Sequence, residues 1–167
     1  MKYGFIAGEQ RFFFILSIID VYDRSVVGYH MGLRCEGKDA ARVLEQSLWR
    51  RRLYQSDDKP VIRLDNRPQF TSHVFQNTCK RLEMEHERIP CRTPNLNAHI
   101  ESFHRILEDE CLGRYEFQSY EEAYKAVSEF IRFYNEQRIY SSILYMAPYE
   151  FYRKHKLDGT LIKEVKA

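Results

Sequence analysis

A mixed α/β domain is the fold that the residue pattern implies, on three observations. Short β-branched and aromatic runs separated by turn residues fill the first thirty-odd positions, helical periodicity alternates with short strands after them, and a 44% hydrophobic, 14% aromatic composition is that of a packed core. At 167 residues the chain is long enough to bury that core as one domain.

In chain order, Lys2–Ile6 reads as a strand, and Ala7-Gly8-Glu9-Gln10 as a hairpin turn into a buried strand over Arg11–Ile19. Asp20-Val21-Tyr22-Asp23-Arg24 is a second turn, and 25–34 a third strand, so three meandering strands open the domain. Gly37-Lys38-Asp39 starts a helix whose apolar face (Ala40, Ala41, Leu44, Leu48, Leu53) reaches Tyr54. A polar loop over 55–60 leads to a β-branched strand, Val61-Ile62-Arg63-Leu64, that ends on Asp65. A helix over 70–84, a short strand over 85–89 and a loop over 90–96 follow. Asn97 is suited to cap a helix over 97–112, in which Ile100, Phe103, Leu107 and Cys111 form one stripe and Glu101, Arg105 and Glu108 lie on the other side. A last long helix over 120–135 turns Ala123, Val127, Phe130 and Ile131 inward.

Composition excludes several classes. The 26 basic and 24 acidic residues leave a net charge of +2, so a nucleic-acid surface has to come from local clustering. Arg50-Arg51-Arg52, late in the first helix, suits either the helix dipole or a DNA contact, and Lys80-Arg81 reads the same way. Phe12-Phe13-Phe14 and the aromatics of 145–152 read as core or as a dimer surface. Cys35, Cys79, Cys91 and Cys111 form no CxxC and have no nearby paired His, which argues against zinc and for reduced core thiols. No apolar run is long enough to span a bilayer and no signal-peptide pattern opens the chain, so a soluble cytoplasmic protein is expected.

The chemistry concentrates on Asp65, at a strand tip, and Glu101, on the wet face of a later helix. Hard oxygen ligands on rigid elements, open to a long anionic substrate, are what divalent-metal phosphoryl transfer needs. Spacing alone leaves a structural reading open, since carboxylates are common at strand ends and helix starts.

The flanking residues sharpen the pattern: Leu64-Asp65-Asn66-x-Pro68-Gln69-Phe70, then 35 residues between Asp65 and Glu101, then Asn97-x-x-x-Glu101-Ser102-Phe103-x-x-x-Leu107. This resembles the DDE transposases and retroviral-type integrases, most closely the orfB-type transposases of bacterial insertion sequences. Tyr134-Asn135-Glu136-Gln137-Arg138 through Leu144 and Pro148 to Phe151 is similar to the closing motif of the same cores.

The resemblance implies a ribonuclease-H-like fold, with a mixed five-stranded sheet flanked by helices, over residues 1–154, followed by a tail over 155–167. It also implies Mg²⁺- or Mn²⁺-dependent DNA cleavage and joining at a two-metal site, with Asp65 and Glu101 as catalytic metal ligands. Asn66, Gln69, Arg92, Asn97 and Arg105 are the expected DNA-binding residues, with His99 beside them. Gln69 and Asn97 equally suit a helix first turn and an N-cap. DNA, further copies of the chain or a full-length transposase are the expected partners, on the nucleoid and with no membrane.

The chain departs from the family in three places. The first of the family's three carboxylates falls at or just before Met1, so the first strand reads as truncated and the activity as impaired. Arg67 stands where the family usually has Gly, a poor residue for a positive φ that puts a long cation beside the metal site, and Tyr140 stands where the closing motif usually has His. Two alternatives follow: a non-catalytic remnant that binds DNA or a transposase partner, and a metal nuclease that uses Asp20. Asp20 reads better as a turn carboxylate bonding the local backbone or Arg24.

Overall fold

The computed structural model describes residues 1–89 and 98–157. Arg92, Asn97, Cys91 and most of the tail beyond 154 lie outside the described residues.

Strands β1 (Lys2–Ile6), β2 (Arg11–Ile19) and β3 (Val26–Gly32) form an antiparallel meander in the order β1-β2-β3. Lys2 lies opposite Ile15, and Ile6 opposite Arg11. The β2–β3 register slips between Ile18 and Ile19, and Asn135 covers the start of β3: its Oδ1 accepts from the Val26 N–H at 2.9 Å and its Nδ2 donates to the Val26 carbonyl at 3.0 Å. β4 (Ile62–Leu64) and β5 (His86–Arg88) pair in parallel. All five expected strands are present, and among the described residues they bond as a three-stranded and a two-stranded sheet.

Alternation along β2 sends Phe13 and Ile15 to one face and Leu16 to the other, so each face acquires a helical layer. On the first face α4 (Ala98–Glu110) and α5 (Tyr120–Glu136) contribute Phe103, Leu107, Ala123, Val127, Phe130 and Ile131, as their periodicity predicts. On the second, α1 (Gly37–Arg50) and α3 (His73–Arg81) bury Ala40, Ala41, Leu44, Leu48, Phe75 and Cys79. Gly28 lets α1 approach β3: a Cβ there would stand 2.2 Å from Ser47 Oγ.

The helix expected over 70–84 is two helices, α2 (Pro68–Thr71) and α3, broken at Ser72. Ser72 takes an extended ψ of 146°, and its Oγ accepts from the Phe75 N–H at 3.2 Å as the cap of α3. A Cβ on Gly37 would stand 2.0 Å from that Oγ, so the start of α1 docks against the break. α6 (Pro148–Tyr152) closes the described chain with a π-helical turn, Arg153–Leu157. Of the aromatic runs, Phe13 and Phe151 are core, while Phe12 and Tyr145 are exposed.

Candidate active site

Asp65 follows the last residue of β4 and is half-buried. Its Oδ1 accepts from the Arg67 N–H at 3.2 Å and its Oδ2 from Arg67 Nε at 3.0 Å. Arg67 sits at φ −72°, ψ 151°, so the position expected to favour glycine is extended backbone that arginine adopts without strain. Asn66 donates to the Ile89 carbonyl at 3.1 Å, tying the end of β4 to the end of β5. Gln69 is buried, with Nε2 turned to Met1 Sδ at 3.5 Å.

Glu101 lies in the first turn of α4, is exposed, and makes no hydrogen bond or ion pair among the described residues. Glu108 pairs with Lys2 at 2.8 Å, and the His104 ring between them lies in the field of the Met1 ammonium, Lys2 and Arg67. Glu101 is one turn before His104 on that helix and exposed. The Met1 ammonium itself is held below its usual range, first by burial, then by Arg67, with Asp65 opposing. Strand tip and β1 start therefore meet at one corner, which α4 reaches through His104 and Glu108. Burial first, then the neighbouring cations, lowers the His104 pKa to about 3, so its ring is neutral, and its buried Nε2 has no partner among the described residues. In the sequence His104 is marked only by its place one turn after Glu101.

The other expected contacts divide. Arg105 is exposed and unpaired among the described residues. His99 instead takes a hydrogen bond from Arg24, 2.7 Å from Nη1 to Nε2, and burial followed by that guanidinium keeps its pKa below the usual value. Tyr140 packs its ring on Tyr134 at 5.6 Å, beside Arg138, which pairs with Glu110 at 2.6 Å.

Asp20 stands elsewhere. It accepts from the Tyr22 N–H at 3.0 Å and lies 3.5 Å from Arg51, just past the last residue of α1. Arg51 is buried, pairs with the fully buried Asp23 at 2.7 Å, and stacks 3.9 Å above the Tyr152 ring. Burial first, then Asp20, pushes the Asp23 carboxyl up, against the pull of Arg51 and Ser25. Gln69 and Ser72, downstream of Asp65, meet α1 at Gly37, its other end. Fourteen residues of helix separate the two, about 21 Å at 1.5 Å per residue. Asp20 thus pairs with Arg51 rather than Arg24, at the far end of α1 from Asp65.

Among the described residues no three His, Cys, Asp or Glu side chains converge on a metal position. Glu101, open, and Asp65, bonded only within its own turn among the described residues, still fit Mg²⁺, which is usually held by one or two carboxylates together with water and substrate phosphates. No described helix is long and apolar enough to cross a membrane.

Two helical layers around meandering and parallel strands, with carboxylates at a strand tip and on a helix, make a ribonuclease-H-like fold. Two family models, both described as integrase core domain, match residues 1–94 and 82–148, and the chain belongs to that family. It is 30% identical over 141 residues to an uncharacterized 31.7 kDa protein of insertion element IS407 from Burkholderia multivorans, covering 84% of this chain and 49% of that protein. It is 25% identical over 150 residues to the transposase for insertion sequence element IS904 of Lactococcus lactis, covering 88% and 57%. The HTLV-2 integrase catalytic core domain in complex with magnesium shares the fold with a TM-score of 0.67 at 14% identity, covering 90% of each chain. The chain spans about half the length of these two insertion-element relatives.

Proposed function

We propose that residues 1–154 are the catalytic core of an insertion-sequence transposase, which cleaves and joins DNA strands in the cytoplasm with Mg²⁺ or Mn²⁺ held by Asp65 and Glu101. The observation that supports this is that, among the described residues, Glu101 makes no bond and Asp65 bonds only its own turn, while His104, one turn after Glu101, lies in the field of Met1 and Arg67 beside Asp65. The corner also lies beside Met1, where the resemblance puts the family's first carboxylate.

The roles follow from position. Asp65 and Glu101 would hold the metal, which would supply Lewis-acid polarisation of the phosphate oxygens. Asn66 braces the strand tip, and Gln69 is buried against Met1. Exposed Arg105, together with Arg92 and Asn97, supplies the DNA backbone contacts that set register. Further copies of the chain complete the assembly on DNA.

The test is strand cleavage and transfer on a duplex carrying the element's ends, with Mg²⁺ and with Mn²⁺. Activity lost by at least about 100-fold in Asp65→Asn and in Glu101→Gln, with the fold intact, supports the assignment. Activity unaffected by both variants refutes it. A second reading, a non-catalytic DNA-binding subunit, is favoured by the lack of a third converging ligand among the described residues. It predicts duplex binding without turnover.

A further inference from the structure

Arg67 occupies the carboxylate that the metal needs. Both Asp65 oxygens contact this one residue, the backbone N–H at 3.2 Å and Nε at 3.0 Å, and the two contacts differ in kind. The N–H belongs to the N-cap of α2, fixed by Pro68 in the first turn. The guanidinium, by contrast, is 46% exposed, and a solvent-facing ion pair of this sort contributes little to stability. It can leave Asp65 without disturbing the turn.

The charges around it show where it can go. Lys2, the other cationic side chain described at this corner, is paired with Glu108. Arg67 has no acidic partner but Asp65 among the described residues, and its charge reaches both the Met1 ammonium and His104. A guanidinium binds a phosphate through two parallel hydrogen bonds, a stronger match than one Nε contact to a half-buried carboxylate.

We infer that Arg67 is a tethered counter-cation that screens Asp65 in the free protein and transfers to a DNA phosphate when substrate arrives, so that metal loading is coupled to DNA binding. This rests on Asp65 and Glu101 being the metal ligands. Without DNA, the metal has to compete with a cation already on Asp65. With DNA, the phosphate draws the guanidinium away and Oδ2 is released. By linkage the effect is reciprocal: DNA tightens metal binding by the factor by which metal tightens DNA binding.

The experiment is a Mn²⁺ titration read by paramagnetic broadening of backbone amide signals, with and without a DNA duplex, on the wild-type chain, Arg67→Gly and Arg67→Gln. The Gln variant removes the charge and keeps a side chain at the helix start, which separates charge from backbone loosening. Without DNA both variants should bind Mn²⁺ about tenfold more tightly than wild type, as expected for removing a unit charge a few ångströms from a divalent ion in water. With DNA that gap should shrink to about threefold or less. The slope of log affinity for DNA against log salt should also fall by about one in both variants, the loss of one phosphate contact. Equal Mn²⁺ affinity in wild type and both variants without DNA, or a gap that DNA leaves unchanged, overturns the inference. Asp65→Asn in the Arg67→Gln background separates the two claims. If it abolishes broadening around residues 65 and 101, the metal assignment stands whatever Arg67 does; if broadening persists, that assignment fails and this inference falls with it.

Discussion

The two ends of α1 carry the same side-chain types and use them in opposite ways. Past its C-terminal residue, Asp23 and Arg51 are buried together, with Ser25 and Asp20 completing the knot and Tyr152 stacked on the guanidinium. Near its N-terminal end, Asp65 and Arg67 pair in the open, and Glu101 faces solvent with no described partner. A buried pair holds segments together because neither member can be left alone in low dielectric. An open pair holds almost nothing, and its groups are available for chemistry.

The largest effect should come from breaking the closed end. Arg51→Met strands the Asp23 carboxyl at 0% exposure, and removing one partner of a buried pair costs about 3–5 kcal/mol. For a chain of this size that lowers Tm by roughly 10 °C, measurable by thermal denaturation. Adding Asp23→Asn to that variant should recover part of the loss, because an amide still accepts from Ser25 and carries no charge. No recovery would mean that the packing of Arg51 on Tyr152, not its charge, holds this end.

This contrast also marks what was legible in the sequence. Local patterns gave Asp65 at its strand tip, Glu101 on the polar face of α4 and the inward residues of α1, α4 and α5, because periodicity and strand ends are written in neighbouring residues. The knot is not local. Arg50-Arg51-Arg52 read as one cationic run, yet Arg50 bonds the Val27 carbonyl, Arg51 is buried, and Arg52 takes a left-handed φ of 58°. The break at Ser72 escaped for the same reason: helical periodicity runs through it, and the docking of Gly37 against Ser72 involves a helix thirty-odd positions earlier. The orphaned His104 nitrogen likewise depends on which residues surround the helix, not on the helix itself.

His104 sharpens the comparison, because it is a half-buried group, with Nε2 fully covered, at the open end. Its pKa is lowered to about 3 in the folded chain, whereas an unfolded His titrates near 6.5, so below that value the unfolded state binds the extra proton. The stability contributed by the neutral ring is therefore complete above pH 6.5 and lost as the pH falls toward 3. The slope is about 1.4 kcal/mol per pH unit, or about 2 kcal/mol between pH 6.5 and 5. Urea denaturation across that range should show this slope in wild type and a flatter one in His104→Asn. Parallel curves for the two chains would mean that water reaches the ring and the open end is open throughout.

The smallest effect on stability should come from the two carboxylates proposed for catalysis. Asp65→Asn gives up one exposed ion pair but keeps an oxygen for the Arg67 N–H, and Glu101→Gln gives up no described contact. Each should change stability by less than about 1 kcal/mol, a Tm shift within about 3 °C. A carboxylate kept for the fold would behave like Asp23, with a large loss on neutralisation. If Asp65→Asn costs as much as Arg51→Met, then Asp65 is a structural anchor of the strand tip, and the difference between the two ends of α1 is one of depth rather than of purpose.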